Sequence, residues 1–87
     1  MTVNEFFPFT MYAAAVVFTK RFSPSNIVAM VVQDRVSGND PLTNDEYGRR
    51  ARSRAEEAWD EDEHGPISEF EFAFAAVTRS AFKATVN

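Results

Sequence analysis

Charge is crowded into one stretch of this chain: residues 43–64 hold 12 of its 22 Asp, Glu, Lys and Arg residues, and the other 65 residues hold only 10. That map constrains the fold, because it sets one charged element against an apolar scaffold. Runs such as Met11 to Phe18, Ile27 to Val32 and Phe70 to Val77 carry almost no charge and must find cover. The charged stretch faces water along at least one side.

At 87 residues the chain is large enough for one core and too small for two, so residues 1–87 form a single domain. A composition that is 45% apolar and 14% aromatic belongs to a folding chain. With no cysteine there is no disulfide framework and no thiolate metal site, which points to a reducing, cytoplasmic setting. Met11 to Phe18, the longest charge-free apolar run, falls far short of the roughly 20 residues of a spanning helix, so no membrane role is expected. The net charge of −4 disfavours non-specific contact with nucleic acid or anionic lipid and favours a basic partner.

Three clusters of turn-forming residues divide the sequence: Ser23-Pro24-Ser25-Asn26, Ser37-Gly38-Asn39-Asp40-Pro41 and His64-Gly65-Pro66. Phe9 to Phe22 and Ile27 to Val36 are rich in β-branched and aromatic residues and read as strands. The residues between them suit a hairpin built on a type I turn containing Pro24. Thr43 and Glu46 form a capping-box pattern that starts a helix over about residues 43–60. Tyr47, Ala51, Ala55, Ala58 and Trp59 give that helix an apolar stripe. Gly48 inside it costs about 1 kcal/mol against Ala, and a close backbone approach is the expected reason. Farther on, Phe70, Phe72 and Phe74 alternate with Glu69, Glu71 and Ala73, which places the three phenylalanines on one face of a strand. The fold expected is α+β, an antiparallel sheet in ββαβ order packed on one amphipathic helix.

One helix covers one face of such a sheet, yet both faces of the first hairpin read as apolar. The second face is left for the Phe6-Phe7-Phe9 arm and the C-terminal tail, for a second copy of the chain, or for a different partner.

Candidate chemistry is sparse. Asp60, Glu61, Asp62, Glu63 and His64 resemble hard-metal ligands, but they lack the alternating ligands and central glycine of a calcium loop, and His64 has no second His or Cys for zinc. They read as a solvated acidic run placed unfavourably at a helix C-terminus. Arg49, Arg50, Arg52 and Arg54 form a basic band that could lie on phosphates, although Arg50 with Glu46 and Arg52 with Glu56 are spaced to pair within the helix. Glu69 and Glu71 beside the phenylalanines work against base stacking. Neither a catalytic set nor a glycine-rich phosphate loop is present, and no enzyme, cofactor or metal is expected.

The resulting expectation is a small acidic module that binds another protein or protein complex as an inhibitor or regulator. Accessory proteins of phages and mobile elements, anti-CRISPR inhibitors among them, share this small, acidic, cysteine-free style. The contact residues expected are Arg49, Arg50, Arg52, Arg54, Glu57, Asp60, Glu61, Asp62 and Glu63, with Trp59 as an aromatic anchor. A nucleic-acid-binding module using the helix arginines and a homodimer joined through the apolar sheet face are the alternatives.

Overall fold

Three long strands and one helix make the framework. In the computed structural model, described for the backbone of residues 5–86 and the side chains of residues 8–82, β1 is Glu5–Lys20, β2 is Ser23–Ser37, α1 is Asn44–Glu57 and β3 is Phe70–Val86. A short helix α2, Glu61–His64, and a 3-10 turn, Ile67–Glu69, connect α1 to β3. The sheet is antiparallel with strand order β2-β1-β3, so β1 is the centre. The ββαβ order and α+β class agree with the sequence pattern.

The first hairpin turns earlier than its proline suggests. Lys20 pairs with Ser23 across Arg21 and Phe22, and Phe22 sits at φ 61, which a type I turn does not contain. Pro24, Ser25 and Asn26 fall where the register jumps, between the Lys20–Ser23 and Thr19–Ile27 pairs. Their turn chemistry serves an irregularity inside β2, and the strand begins before it.

A second irregularity changes which residues are buried. Val17 pairs with Phe74 while Phe18 pairs with Phe72, so Ala73 is an extra residue in β3. Phe70 and Phe72 therefore face α1, Phe74 faces the opposite side, and Ala75 and Val77 replace it under the helix. The expectation that all three phenylalanines share a face fails at this bulge.

The core lies between the sheet and α1. Tyr12, Ala14, Val16 and Phe18 from β1 meet Val32 and Val36 from β2, Phe70 from β3, and Tyr47, Ala51 and Ala55 from α1. Ala51 and Ala55 are fully buried, and their small side chains let the helix settle close to the sheet. Thr43 supplies the full capping box: its hydroxyl accepts from the Glu46 N–H, and the Glu46 carboxylate accepts from the Thr43 N–H. Gly48 shows no close approach, since a Cβ there would meet nothing within 4 Å.

The loop entering α1 is anchored on a buried threonine. Thr10 Oγ1 donates to the Gly38 carbonyl at 2.9 Å and accepts from the Asp40 N–H at 2.7 Å. Asp40, at φ 50, then accepts from the Tyr47 hydroxyl at 3.0 Å and pairs with Arg79 at 2.7 Å. Arg79 also donates to Asn44 and lies over the Tyr47 ring. These contacts tie β1, β3 and the start of α1 into one unit.

Candidate interaction surfaces

A 14-residue helix spans about 21 Å, whereas a 16-residue strand spans roughly 53 Å. α1 therefore covers only part of one sheet face, and the far face has no cover among the described residues. Along β1 the far face carries Met11, Ala13, Ala15 and Val17. β2 adds Ile27, Ala29 and Val31, and β3 adds Phe74 and Ala76. Val31 is 78% exposed, Ile27 60% and Phe74 54%. The register leaves this central area without a charged side chain; Arg35 and Glu71 stand toward its opposite ends, opposite Met11 and Thr19 of β1. Phe9 and Phe82 stack at 5.5 Å near the Arg35 end, with the Arg35 guanidinium 5.7 Å from the Phe9 ring. Phe9 belongs to β1 and does not fold back across the sheet; the side chains of Phe6 and Phe7 lie outside the described residues.

The charged residues singled out by sequence fall into separate places. Arg49, Arg50, Arg54 and Glu57 line a cleft of about 400 Å³ between α1 and β2, with Tyr12, Asp34 and Ser53. Arg52 turns to the other flank, where it pairs with Glu56 at 3.4 Å and covers the Phe72 ring at 4.6 Å. Arg54 is committed to Asp34, at 2.6 and 3.0 Å. Arg50 makes no pair with Glu46, whose carboxylate is used in the cap. Arg49 and Arg50 are exposed and outside any ion pair among the described residues.

The cleft has its own electrostatics. Partial burial pushes the Asp34 carboxyl up, but the Arg35 backbone N–H and the hydrogen bond and charge of Arg54 outweigh it and hold Asp34 below its ordinary value. Burial, with the negative charge of Asp34, pushes the Tyr12 phenol up against the opposing charges of Arg50 and Arg54. The Tyr12 hydroxyl is buried, with no hydrogen-bond partner among the described residues.

Asp60 to Glu63 are not the fraying end of α1. That helix stops at Glu57 with Ala58 as its cap, and Asp60 begins α2 by accepting from the Asp62 and Glu63 N–H groups. The acids thus lie at the positive N-terminal end of α2, where the dipole favours them, and the unfavourable placement expected from sequence is corrected. All four are exposed, and Glu63 lies beside Lys20 and Asn26 at the hairpin end.

Trp59 is turned inward. Its ring contacts Phe18 at 5.3 Å and Phe70 at 4.9 Å, and its indole N–H donates to the Gly65 carbonyl at 2.8 Å. It holds the acidic turn to the core.

Among the described residues, no cluster of three His, Cys, Asp or Glu is arranged to hold a metal. No helix among them is long and apolar enough to cross a membrane. No family model matches this chain, and no curated protein or solved structure matches it.

Proposed function

We propose that this chain is a non-catalytic protein-association module, acting by covering a surface and not by turning over a substrate. One observation carries the reading: an uncharged, contiguous apolar area runs across all three strands on the face away from α1. Monomeric proteins rarely leave such a face to water, and large exposed apolar patches mark protein contacts. An antiparallel sheet made to be solvated would alternate apolar with polar along each strand, and here Ala13, Ala15 and Val17 follow one another on the outer side.

A module seated through this face presents α1 on its other side. Arg49, Arg50 and the acids Asp60 to Glu63 then remain in water, available to a second macromolecule, as an inhibitor or regulator of a larger complex requires. Nucleic-acid binding has less support, because Arg54 is spent on Asp34 and Arg52 on Glu56 and Phe72.

Charge placed at Val31 tests the reading. Val31→Glu leaves the helix-side core intact and is expected to abolish association of the folded protein, while Arg49→Ala with Arg50→Ala leaves it. Association that survives Val31→Glu, with a native circular dichroism spectrum, would place the working surface elsewhere.

A further inference from the structure

The occupant of the open face is identifiable from the register. Two sheets pack face to face about 10 Å apart with their strands nearly aligned, and fit depends on large side chains meeting small ones. In the row through Ala15, Val31 stands on the β2 side and Ala76 on the β3 side. The next row reverses the sizes: Ala29 flanks Val17 on β2, and Phe74 flanks it on β3. In the row through Ala13 both flanking residues are polar, Gln33 and Thr78.

A two-fold axis parallel to β1 lays β2 of one copy over β3 of the other. Val31 then meets Ala76, Phe74 meets Ala29, Gln33 meets Thr78, and Arg35 meets Ser80. Down the middle, Ala13 and Ala15 meet their own counterparts and allow close approach there, and Met11 and Val17 meet theirs to either side. Among the described residues, only in the hairpin row does an apolar residue, Ile27, meet a charged one, Glu71, and there Arg21 already pairs with the carboxylate at 3.4 Å. The face is complementary to itself.

The areas agree. A 9.8 kDa monomer has roughly 5,200 Å² of accessible surface, and this chain has 6144 Å². The excess, roughly 900 Å², belongs to the whole elongated chain, 64 × 24 × 14 Å, and is of the order of the ~800 Å² that each partner gives to a standard stable interface. Its radius of gyration is 16.8 Å, against about 12 Å for a compact chain of this length. The bulge at Ala73 contributes directly, since it moves Phe74 from beneath the helix to the bare face.

We infer that the open face is occupied by a second copy of this chain, in a two-fold sheet-on-sheet dimer whose axis runs along β1. The inference rests on the open face being an association surface and adds the identity and orientation of what covers it. Both copies then carry their α1 helices outward, so the dimer offers two equivalent charged surfaces to any further partner.

Sedimentation equilibrium of the purified full chain is the first test, with twice 9.8 kDa the mass expected. The orientation is tested by cross-linking, which the absence of native cysteine makes clean. A mixture of Val31→Cys and Ala76→Cys proteins treated with a short bis-maleimide is expected to give a mixed cross-linked dimer several-fold more abundant than either protein gives alone. A monomer at several hundred micromolar overturns the inference, and so does a dimer that persists in folded Val31→Glu. A monomeric chain that captures a different protein, and loses it in Val31→Glu, would overturn the second-copy inference while leaving the association reading intact.

Discussion

Phe72 and Phe74, two residues apart on one strand, face opposite sides of the sheet. Phe72 lies under α1 beside Phe18, and Phe74 stands opposite Val17 on the bare face. Regular pleating would place both beneath the helix. The extra residue Ala73 separates them, as bulges of this kind re-aim the side chains that follow them. Here the result is an aromatic ring, 54% exposed, on the strand face that pairs it with Val17.

Phe74→Ser should therefore leave the folded monomer nearly unchanged and weaken association at least tenfold, about 1.4 kcal/mol. Comparing urea unfolding at high dilution with the association constant separates the two effects. A large loss of monomer stability would show that Phe74 packs within the chain.

Gly48→Ala should raise stability by about 1 kcal/mol. The glycine lies inside α1, and an added methyl group meets open space. For a domain of this size the melting temperature rises by roughly 4–8 °C. An unchanged or lower midpoint would reveal a constraint on the groove between α1 and β3 that Gly48 lines.

Tyr12→Phe removes a buried hydroxyl that has no hydrogen-bond partner among the described residues and keeps the ring, 5.5 Å from that of Tyr47. An unsatisfied polar group costs about 1–3 kcal/mol, so the substitution should stabilise or be neutral in thermal melts. A loss above 1 kcal/mol would mean that the hydroxyl is engaged by Arg54 or Asp34.

Acid should destabilise the protein partly through Asp34. Its carboxyl titrates below its ordinary value in the folded chain and at that value once unfolded. Its contribution is therefore complete above the unfolded pKa and is lost as pH falls from roughly 5 through the folded value. Glu46, lowered by the Thr43 N–H and hydroxyl, changes in the same direction. Asp34→Asn should flatten this acid limb in melts between pH 3 and 7, with Arg54 left in place; an unchanged limb would assign it to other carboxylates.

Local chemistry was the legible part of this fold. The capping box and the buried stripe of Tyr47, Ala51 and Ala55 are short-range patterns and appear as expected, whereas Ala58, expected in the same stripe, caps the helix and is exposed, and Trp59 lies beyond the helix end. The shortage of cover for the second sheet face was legible too, because two apolar faces and one helix cannot balance; that the N-terminal arm and the C-terminal tail continue β1 and β3 as strands was not. Harder to read were features that depend on pairing. Pro24 to Asn26 have turn chemistry, yet the tight turn fell to Arg21 and Phe22, since the strand register closes two residues earlier. Nothing local marks Ala73 as a bulge, because phenylalanine recurs at every second position from Phe70 to Phe74 straight through it. The Arg54–Asp34 pair and the Thr10–Asp40–Tyr47–Arg79 network join residues from separate elements, which spacing along one helix does not reveal. Asp60 was more accessible: an Asp three residues before Glu63 is itself a helix-start pattern, and it explains why the acids open α2 instead of closing α1.

Hydroxyl-radical footprinting of the native protein across a concentration series tests the central claim most directly. Met11, Phe74 and Phe82 report on the open face, and Phe22, fully exposed at the hairpin tip, serves as the internal standard. The account predicts that oxidation of the three falls several-fold relative to Phe22 as concentration rises, and that Val31→Glu restores it. Oxidation in constant proportion to Phe22 at every concentration would show a face that stays in water, and would contradict a sheet covered by a second copy.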